Sequence, residues 1–127
     1  MDVKLKPEQE ARVRIDEMLR AAGWAVQDHK QMSIGAARGV AVGEFPTATG
    51  PADYLLYVDR KAIGSIEAKK AGSTLRRVEP QADRYAHGFE ETAKKNDTPA
   101  WQHPLPFHYL STGYETLFVS RIDRLSR

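Results

Sequence analysis

The chain has 127 residues, of which 41% are hydrophobic and 28% are charged, and its formal net charge is +2. This composition predicts one globular domain with a core of its own, and the net charge is too small to indicate nucleic-acid binding by itself. The absence of cysteine excludes disulfides, thiolate metal sites and cysteine nucleophiles. No apolar run reaches the roughly 20 residues of a membrane span or forms a signal core. We therefore expect a cytoplasmic protein with no membrane partner.

The first predicted element is a helix over residues 7–22, with proline in its first turn and an apolar stripe at helical spacing. Gly23 predicts the end of this helix, and Trp24 follows where a hydrophobic contact often closes the helix end. Glu8 shares the side of the apolar stripe and is expected to point inward, whereas Glu10 is rotated off it toward solvent. Either glutamate is also an ordinary partner for the positive N-terminal end of a helix.

The remaining elements follow in an order that predicts an α/β fold, with a mixed central β-sheet flanked by helices. They are a strand over 40–45 within an otherwise irregular stretch, a hairpin over 51–70, a second helix from near Pro80 toward Lys94, and two short strands over 107–111 and 115–120.

The predicted hairpin contains two acidic residues and a lysine that could lie on one face. If paired residue numbers sum to 120, Asp53 lies opposite Glu67, with Cβ atoms roughly 4.5–5.5 Å apart, and Lys69 shares the face of Glu67. That register needs a three-residue turn at 59–61 or an equivalent bulge. A two-residue turn gives a sum of 119 and opposite faces for the acids. The absence of glycine from the turn leaves both registers open.

Two carboxylates and a lysine on one face suit metal-assisted attack on a phosphodiester. Carboxylate oxygens bind a hard cation such as Mg²⁺, which lowers the pKa of a bound water. Lys69 would orient that water or stabilise the developing negative charge, and it is the one cation that the sequence places beside Asp53 and Glu67. The alternative is an ordinary amphipathic hairpin with charged ends.

Four stretches of the chain together resemble the PD-(D/E)xK nuclease superfamily, and within it the N-terminal nuclease domain of the restriction (R) subunit of type I restriction–modification enzymes. The resemblance covers nearly the whole chain. The stretches are PEQEARVRIDEMLRAAGW ending at Trp24, GVAVGEF at 39–45, GPADYLLYVDRKAIGSIEAKK at 50–70, and QADRY at 81–85. Two departures are Ala52 directly before Asp53, with the proline one place earlier, and Arg60 where relatives commonly have a turn glycine.

The resemblance implies a restriction-endonuclease-like core and assigns a role to each matching residue. Asp53 and Glu67 would be the metal-binding acids, and Lys69 the catalytic lysine. The supporting positions would be the helical acid Glu8, which completes the metal site, and Gln81 and Tyr85, which position the DNA or the active-site groups.

The implied function is Mg²⁺-dependent endonucleolytic cleavage of double-stranded DNA within a type I restriction complex, whose other subunits supply specificity and methylation. No Gly-x-x-x-x-Gly-Lys-Ser/Thr phosphate loop occurs in the chain, so ATP would act only through a translocase domain elsewhere. Residues 1–127 are therefore expected to be a single nuclease domain of a larger subunit, present as an N-terminal fragment. The alternatives are a free-standing nuclease, a repair nuclease of the same superfamily, and a catalytically silent domain that docks DNA or partner subunits.

Overall fold

One mixed β-sheet organises the part of the chain that the computed structural model describes, namely residues 6–47, 51–72, 100 and 105–120. Within these residues, six strands lie side by side in the order of the chain. The elements are helix α1 (Pro7–Ala21), strand β1 (Ala25–Asp28), a 3₁₀ turn (His29–Gln31), β2 (Gly39–Phe45), β3 (Ala52–Val58), β4 (Lys61–Ala68), β5 (Phe107–Ser111) and β6 (Thr116–Ser120).

The strand pairings confirm the predicted mixed α/β sheet. β1 and β2 are parallel, as are β4 and β5, and the other three neighbouring pairs are antiparallel. Only α1 flanks this sheet among the residues described, and it is not long and apolar enough to cross a membrane. The second helix, predicted from near Pro80, falls outside the described residues.

Helix α1 ends at Ala21, one residue earlier than predicted, and Gly23 closes its C-terminal end as the sequence indicated. Gly23 has a φ of +96°, which suits a residue without a Cβ. Its N–H donates to the carbonyl of Arg20 at 3.0 Å, and the N–H of Trp24 donates to the carbonyl of Leu19 at 2.9 Å. Trp24 and Leu19 then pack on the same apolar cluster, so the predicted hydrophobic closure of the helix end is confirmed.

Strand β1 was not predicted, and it pairs with β2 from Ala25↔Val40 to Asp28↔Gly43. It has four residues, follows the helix end directly, and carries only two apolar side chains. Such a short segment has no period of its own that separates it from a loop. Its parallel pairing with β2 depends on contacts that local sequence does not encode.

Both faces of the sheet are covered around β3, whose side chains alternate between two apolar clusters. Toward α1, Tyr54 and Leu56 pack with Ile15. On the opposite face, Leu55 and Tyr57 pack with a second set of buried side chains. A strand buried on both faces reads as a continuous apolar run, which explains the sequence Tyr-Leu-Leu-Tyr-Val at this position.

The hairpin has a two-residue turn and a bulge, and together they decide the register. Asp59 and Arg60 have φ values of 50° and 69°, as in the type I′ turn that suits a hairpin. Next to this turn, paired residue numbers sum to 119, but from Leu56↔Gly64 to Tyr54↔Ile66 they sum to 120. Ile63 is the extra residue. Continuing the ladder by one position puts Asp53 opposite Glu67, which is the register predicted for a bulged hairpin.

Candidate active site

Asp53 is fastened to the backbone between the two other predicted catalytic residues. Its Oδ2 atom accepts a hydrogen bond of 2.8 Å from the N–H of Ala68, and Ala68 stands between Glu67 and Lys69. The Asp53 carboxylate on β3 therefore reaches the end of β4, and the hairpin brings Asp53, Glu67 and Lys69 close together.

Glu67 and Lys69 form an ion pair at the end of β4. Lys69 Nζ lies 3.0 Å from Glu67 Oε1, and the two side chains are 23% and 9% exposed. The N–H of Lys69 also donates to the carbonyl of Ser111 at 2.8 Å, which holds the lysine backbone against β5. The ammonium is thus kept beside a largely buried carboxylate by contacts on both the side chain and the main chain.

Arg12, which was not predicted as a site residue, lies directly beside Asp53. Its Nη2 lies 2.6 Å from Asp53 Oδ1, and its Nη1 lies 2.7 Å from Glu44 Oε1. Burial lowers the pKa of Arg12, but the charges and hydrogen bonds of Asp53 and Glu44 outweigh that effect and leave the pKa raised. The expectation that Lys69 is the one cation beside the acids is therefore wrong.

The sequence did carry a signal for Arg12, because it follows Glu8 by one helical turn and so shares its helix face. Glu44 carried no comparable signal. It falls between the pairs Gly43↔Tyr54 and Phe45↔Ala52, which places it across from Asp53, and its φ of 52° is unusual for a residue other than glycine.

Tyr54 fixes the position of α1 next to Asp53. Its hydroxyl lies 2.5 Å from Asp16 Oδ1 and 3.1 Å from the carbonyl oxygen of Arg12. Burial and the neighbouring Asp16 carboxylate raise the pKa of Tyr54, so the hydroxyl stays protonated and can donate to these acceptors. This contact sets the helix turn from which Arg12 extends.

The other predicted site residues are only partly accounted for. Glu8 belongs to the first turn of α1, but its side chain lies outside the described part of the structure, as do Gln81 and Tyr85 altogether. Glu10 is exposed, as predicted. Within the described residues, no group of three or more His, Cys, Asp or Glu side chains could hold a metal ion. Asp53 and Glu67, the two predicted metal-binding acids that the structure describes, therefore have no third described ligand of these types beside them.

The sequence of the chain matches a protein family and a restriction enzyme subunit of Escherichia coli. The family model described as the second domain of the type I restriction enzyme EcoKI endonuclease subunit matches residues 16–119. The type I restriction enzyme EcoKI endonuclease subunit of Escherichia coli (strain K12) is 31% identical over 120 residues, covering 86% of this chain and 10% of that subunit. The chain thus spans about a tenth of the length of this relative. No solved structure matches the chain.

The matched region contains the β-sheet except its last residue, Ser120, and it includes Asp53, Glu67 and Lys69. It covers well over half of the chain, and the resemblance to type I restriction subunits is confirmed. The chain therefore belongs to the family formed by the second domain of the EcoKI-type restriction endonuclease subunit.

Proposed function

We propose that this chain is the Mg²⁺-dependent nuclease domain of a type I restriction subunit and that it cleaves phosphodiester bonds of double-stranded DNA. Asp53 and Glu67 would bind the metal ion, and Lys69 would be the catalytic lysine. The observation that carries the proposal is the hydrogen bond from the Ala68 N–H to Asp53 Oδ2 at 2.8 Å, because it joins the acid of one strand to the Glu-x-Lys segment of the next. Membership of a restriction endonuclease subunit family supports the same function.

The residues present suit a hard divalent cation. Mg²⁺ prefers oxygen ligands and is usually bound by one or two carboxylates while it keeps several waters. Asp53 and Glu67 supply that number of carboxylates, and the side chain of Glu67 is largely buried. When bound, Mg²⁺ would neutralise phosphate charge and lower the pKa of a bound water.

Lys69 would act on the reacting phosphate through its ammonium group. Its Nζ is held next to Glu67, and it is 23% exposed, so it is reachable from solvent while its position is restricted. A positioned cation stabilises the negative charge that develops in the transition state. In this arrangement Glu67 both binds metal and keeps the lysine in place.

A groove beside the cluster supplies candidate contacts for the DNA backbone. It lies between the start of α1 and the chain beyond β4, and its lining includes Lys6, Gln9, Arg12 and Lys70. Cationic and polar side chains of this kind bind phosphate oxygens and position a duplex without reading its sequence. Sequence recognition and methylation would then belong to other subunits of the restriction complex, and ATP would be used by a translocase domain.

Divalent metal should stabilise the folded chain if Asp53 helps to bind it. A ligand that binds only the native state adds stability that grows with concentration, by about 2.7 kcal/mol at a hundred times its dissociation constant. We expect Mg²⁺ and Mn²⁺ to raise the melting temperature, and Asp53→Asn to remove most of that gain. Thermal denaturation over a range of metal concentrations measures both effects.

Asp59→Asn is the matched control, since it makes the same chemical change at the turn of the same hairpin. Asp59 is exposed and tolerates the left-handed backbone that asparagine also favours, so the metal-dependent gain should persist in this variant. A melting temperature of the unmodified chain that does not respond to either metal would contradict the proposed metal site.

A further inference from the structure

Arg12 joins two acids on neighbouring strands through the two ends of its guanidinium group. The contact with Asp53 is on the sheltered side, because the side chain of Asp53 is 17% exposed. The contact with Glu44 is on the solvent side, where the glutamate is 57% exposed. A planar, fork-shaped cation suits this bridging arrangement better than a lysine would.

Both carboxylate oxygens of Asp53 already have partners in the chain. Oδ2 accepts from the N–H of Ala68, which is fixed by the backbone of the hairpin. Oδ1 accepts from Arg12, which extends from α1 on a long side chain with several rotatable bonds. A divalent cation bound by Asp53 would therefore compete mainly with Arg12.

Glu44 is placed to keep Arg12 when the contact with Asp53 is broken. It lies across from Asp53 in the ladder between β2 and β3 and already bonds to the second nitrogen of the guanidinium. The positive φ of Glu44 departs from the extended backbone of a regular β-strand. Because one nitrogen of the Arg12 guanidinium is held by Glu44, the guanidinium can leave Asp53 and still keep one carboxylate partner.

We propose that Arg12 is an exchangeable counter-ion of the active site: it bridges Asp53 and Glu44 in the metal-free protein and is held by Glu44 alone when Asp53 binds a divalent cation. This inference depends on the proposed metal site at Asp53. Arg12 then acts as a positioning residue that sets the metal affinity of the site. Its positive charge disfavours a second cation at Asp53, so the isolated domain binds metal more weakly than its acids alone would allow.

The first test is calorimetric titration of the 127-residue chain with Mn²⁺. Arg12→Met removes the competing charge and should tighten Mn²⁺ binding about tenfold, which corresponds to about 1.4 kcal/mol. Arg14→Met is the matched control on the same helix. Arg14 donates to the carbonyl of Thr112 and lies over the ring of Tyr114, so its removal should leave the Mn²⁺ affinity within about twofold.

The second test changes the acceptor and needs no change in Arg12. Glu44→Gln removes an exposed charge, so it should preserve the fold, and it should weaken Mn²⁺ binding several-fold because the displaced guanidinium loses its carboxylate. In an Arg12→Met background the same substitution should have little effect. Such non-additivity is the expected sign that Glu44 acts through Arg12. A Glu44→Gln effect that persists undiminished in that background would overturn the exchange.

The outcomes separate this inference from the proposed function. If the unmodified chain binds Mn²⁺ and Arg12→Met binds it no more tightly, the exchange is overturned while the metal site stands. If the Glu44→Gln variant binds Mn²⁺ as tightly as the unmodified chain does, the exchange is likewise overturned. This outcome can be read even if Arg12→Met fails to fold. If no variant binds Mn²⁺, the exchange and the metal site are both overturned.

Discussion

Lys69→Ala is expected to lower DNA cleavage by a reconstituted restriction complex by roughly 10²–10³-fold, which is the range seen when one positioned stabiliser of transition-state charge is removed. Subunit assembly and ATP hydrolysis should be largely unaffected, because Lys69 would contribute to the transition state and little to ground-state binding. Plasmid cleavage and ATP hydrolysis, assayed on the same preparation with unmethylated DNA, measure both parts of this prediction. The isolated chain should cut DNA little or not at all, since a few phosphate contacts give weak and salt-dependent binding.

The controls for Lys69 address charge and folding separately. Lys61→Ala removes a lysine at the opposite end of the same strand, where it is exposed, and should leave cleavage normal. Lys69→Arg keeps a cation next to Glu67 but changes its geometry, so it should fold like the unmodified chain and still cut poorly. Normal cleavage by the Lys69→Ala complex would show that the active site has been assigned to the wrong residues.

Gly64→Ala is expected to destabilise the domain by on the order of 3 kcal/mol, because a new side chain is forced into a closely packed strand interface. A Cβ at this position would lie 2.0 Å from the carbonyl oxygen of Phe107, on the backbone of the neighbouring strand. A backbone atom cannot move aside as the end of a flexible side chain could. Urea denaturation of the two proteins measures the difference.

Gly64→Ala should also disturb the candidate site, because Gly64 is the first residue of β4 that pairs with β5, and Glu67 pairs with Leu110 in the same ladder. Gly43→Ala is the matched control in the same sheet. There the nearest contact of a new Cβ would be the carbonyl oxygen of Gln27 at 3.5 Å, an ordinary distance, so the cost should stay within about 1 kcal/mol. Equal denaturation midpoints for Gly64→Ala and the unmodified chain would contradict the close approach of Gly64 to the backbone of Phe107.

Local sequence was sufficient where an element carries its own pattern. The start of α1, its closure at Gly23 and the strands on either side of Asp59 all follow from helical or alternating periodicity and from turn chemistry. The strand over Phe107–Ser111 was predicted with the bounds that the structure has. In each of these segments, the residues that define the element are close neighbours in the chain.

The register of the hairpin could not be decided in the same way. A three-residue turn and a two-residue turn with a bulge produce the same pairing at Asp53, and both fit the residues present. The bulge at Ile63 is a shift in the pairing of β3 with β4. Beyond the bulge, β4 also pairs with β5, a strand about forty residues distant in sequence, so the local pattern of the hairpin does not show which register the sheet adopts.

Helical spacing places Arg12 on the face of Glu8, but the sequence does not show that Arg12 pairs with Asp53. Forty-one positions separate the two residues, and their contact requires α1 to lie across the end of β3. Tyr54 and Asp16 fix that placement through a hydrogen bond between helix and strand. A pattern of spacing identifies acids that can bind a cation, but the cation that neutralises them comes from the tertiary fold. The roles of Glu8, Gln81 and Tyr85 stay predictions.

The most direct measurement of the central claim is a crystal structure of the chain with Mn²⁺, in which anomalous scattering locates the metal. We predict an Mn²⁺ ion bound by the carboxylates of Asp53 and Glu67, with Lys69 beside it and with Arg12 bonded to Glu44 but no longer to Asp53. An ion found only away from Asp53 and Glu67, under conditions in which Mn²⁺ stabilises the fold, would contradict the assignment of the active site.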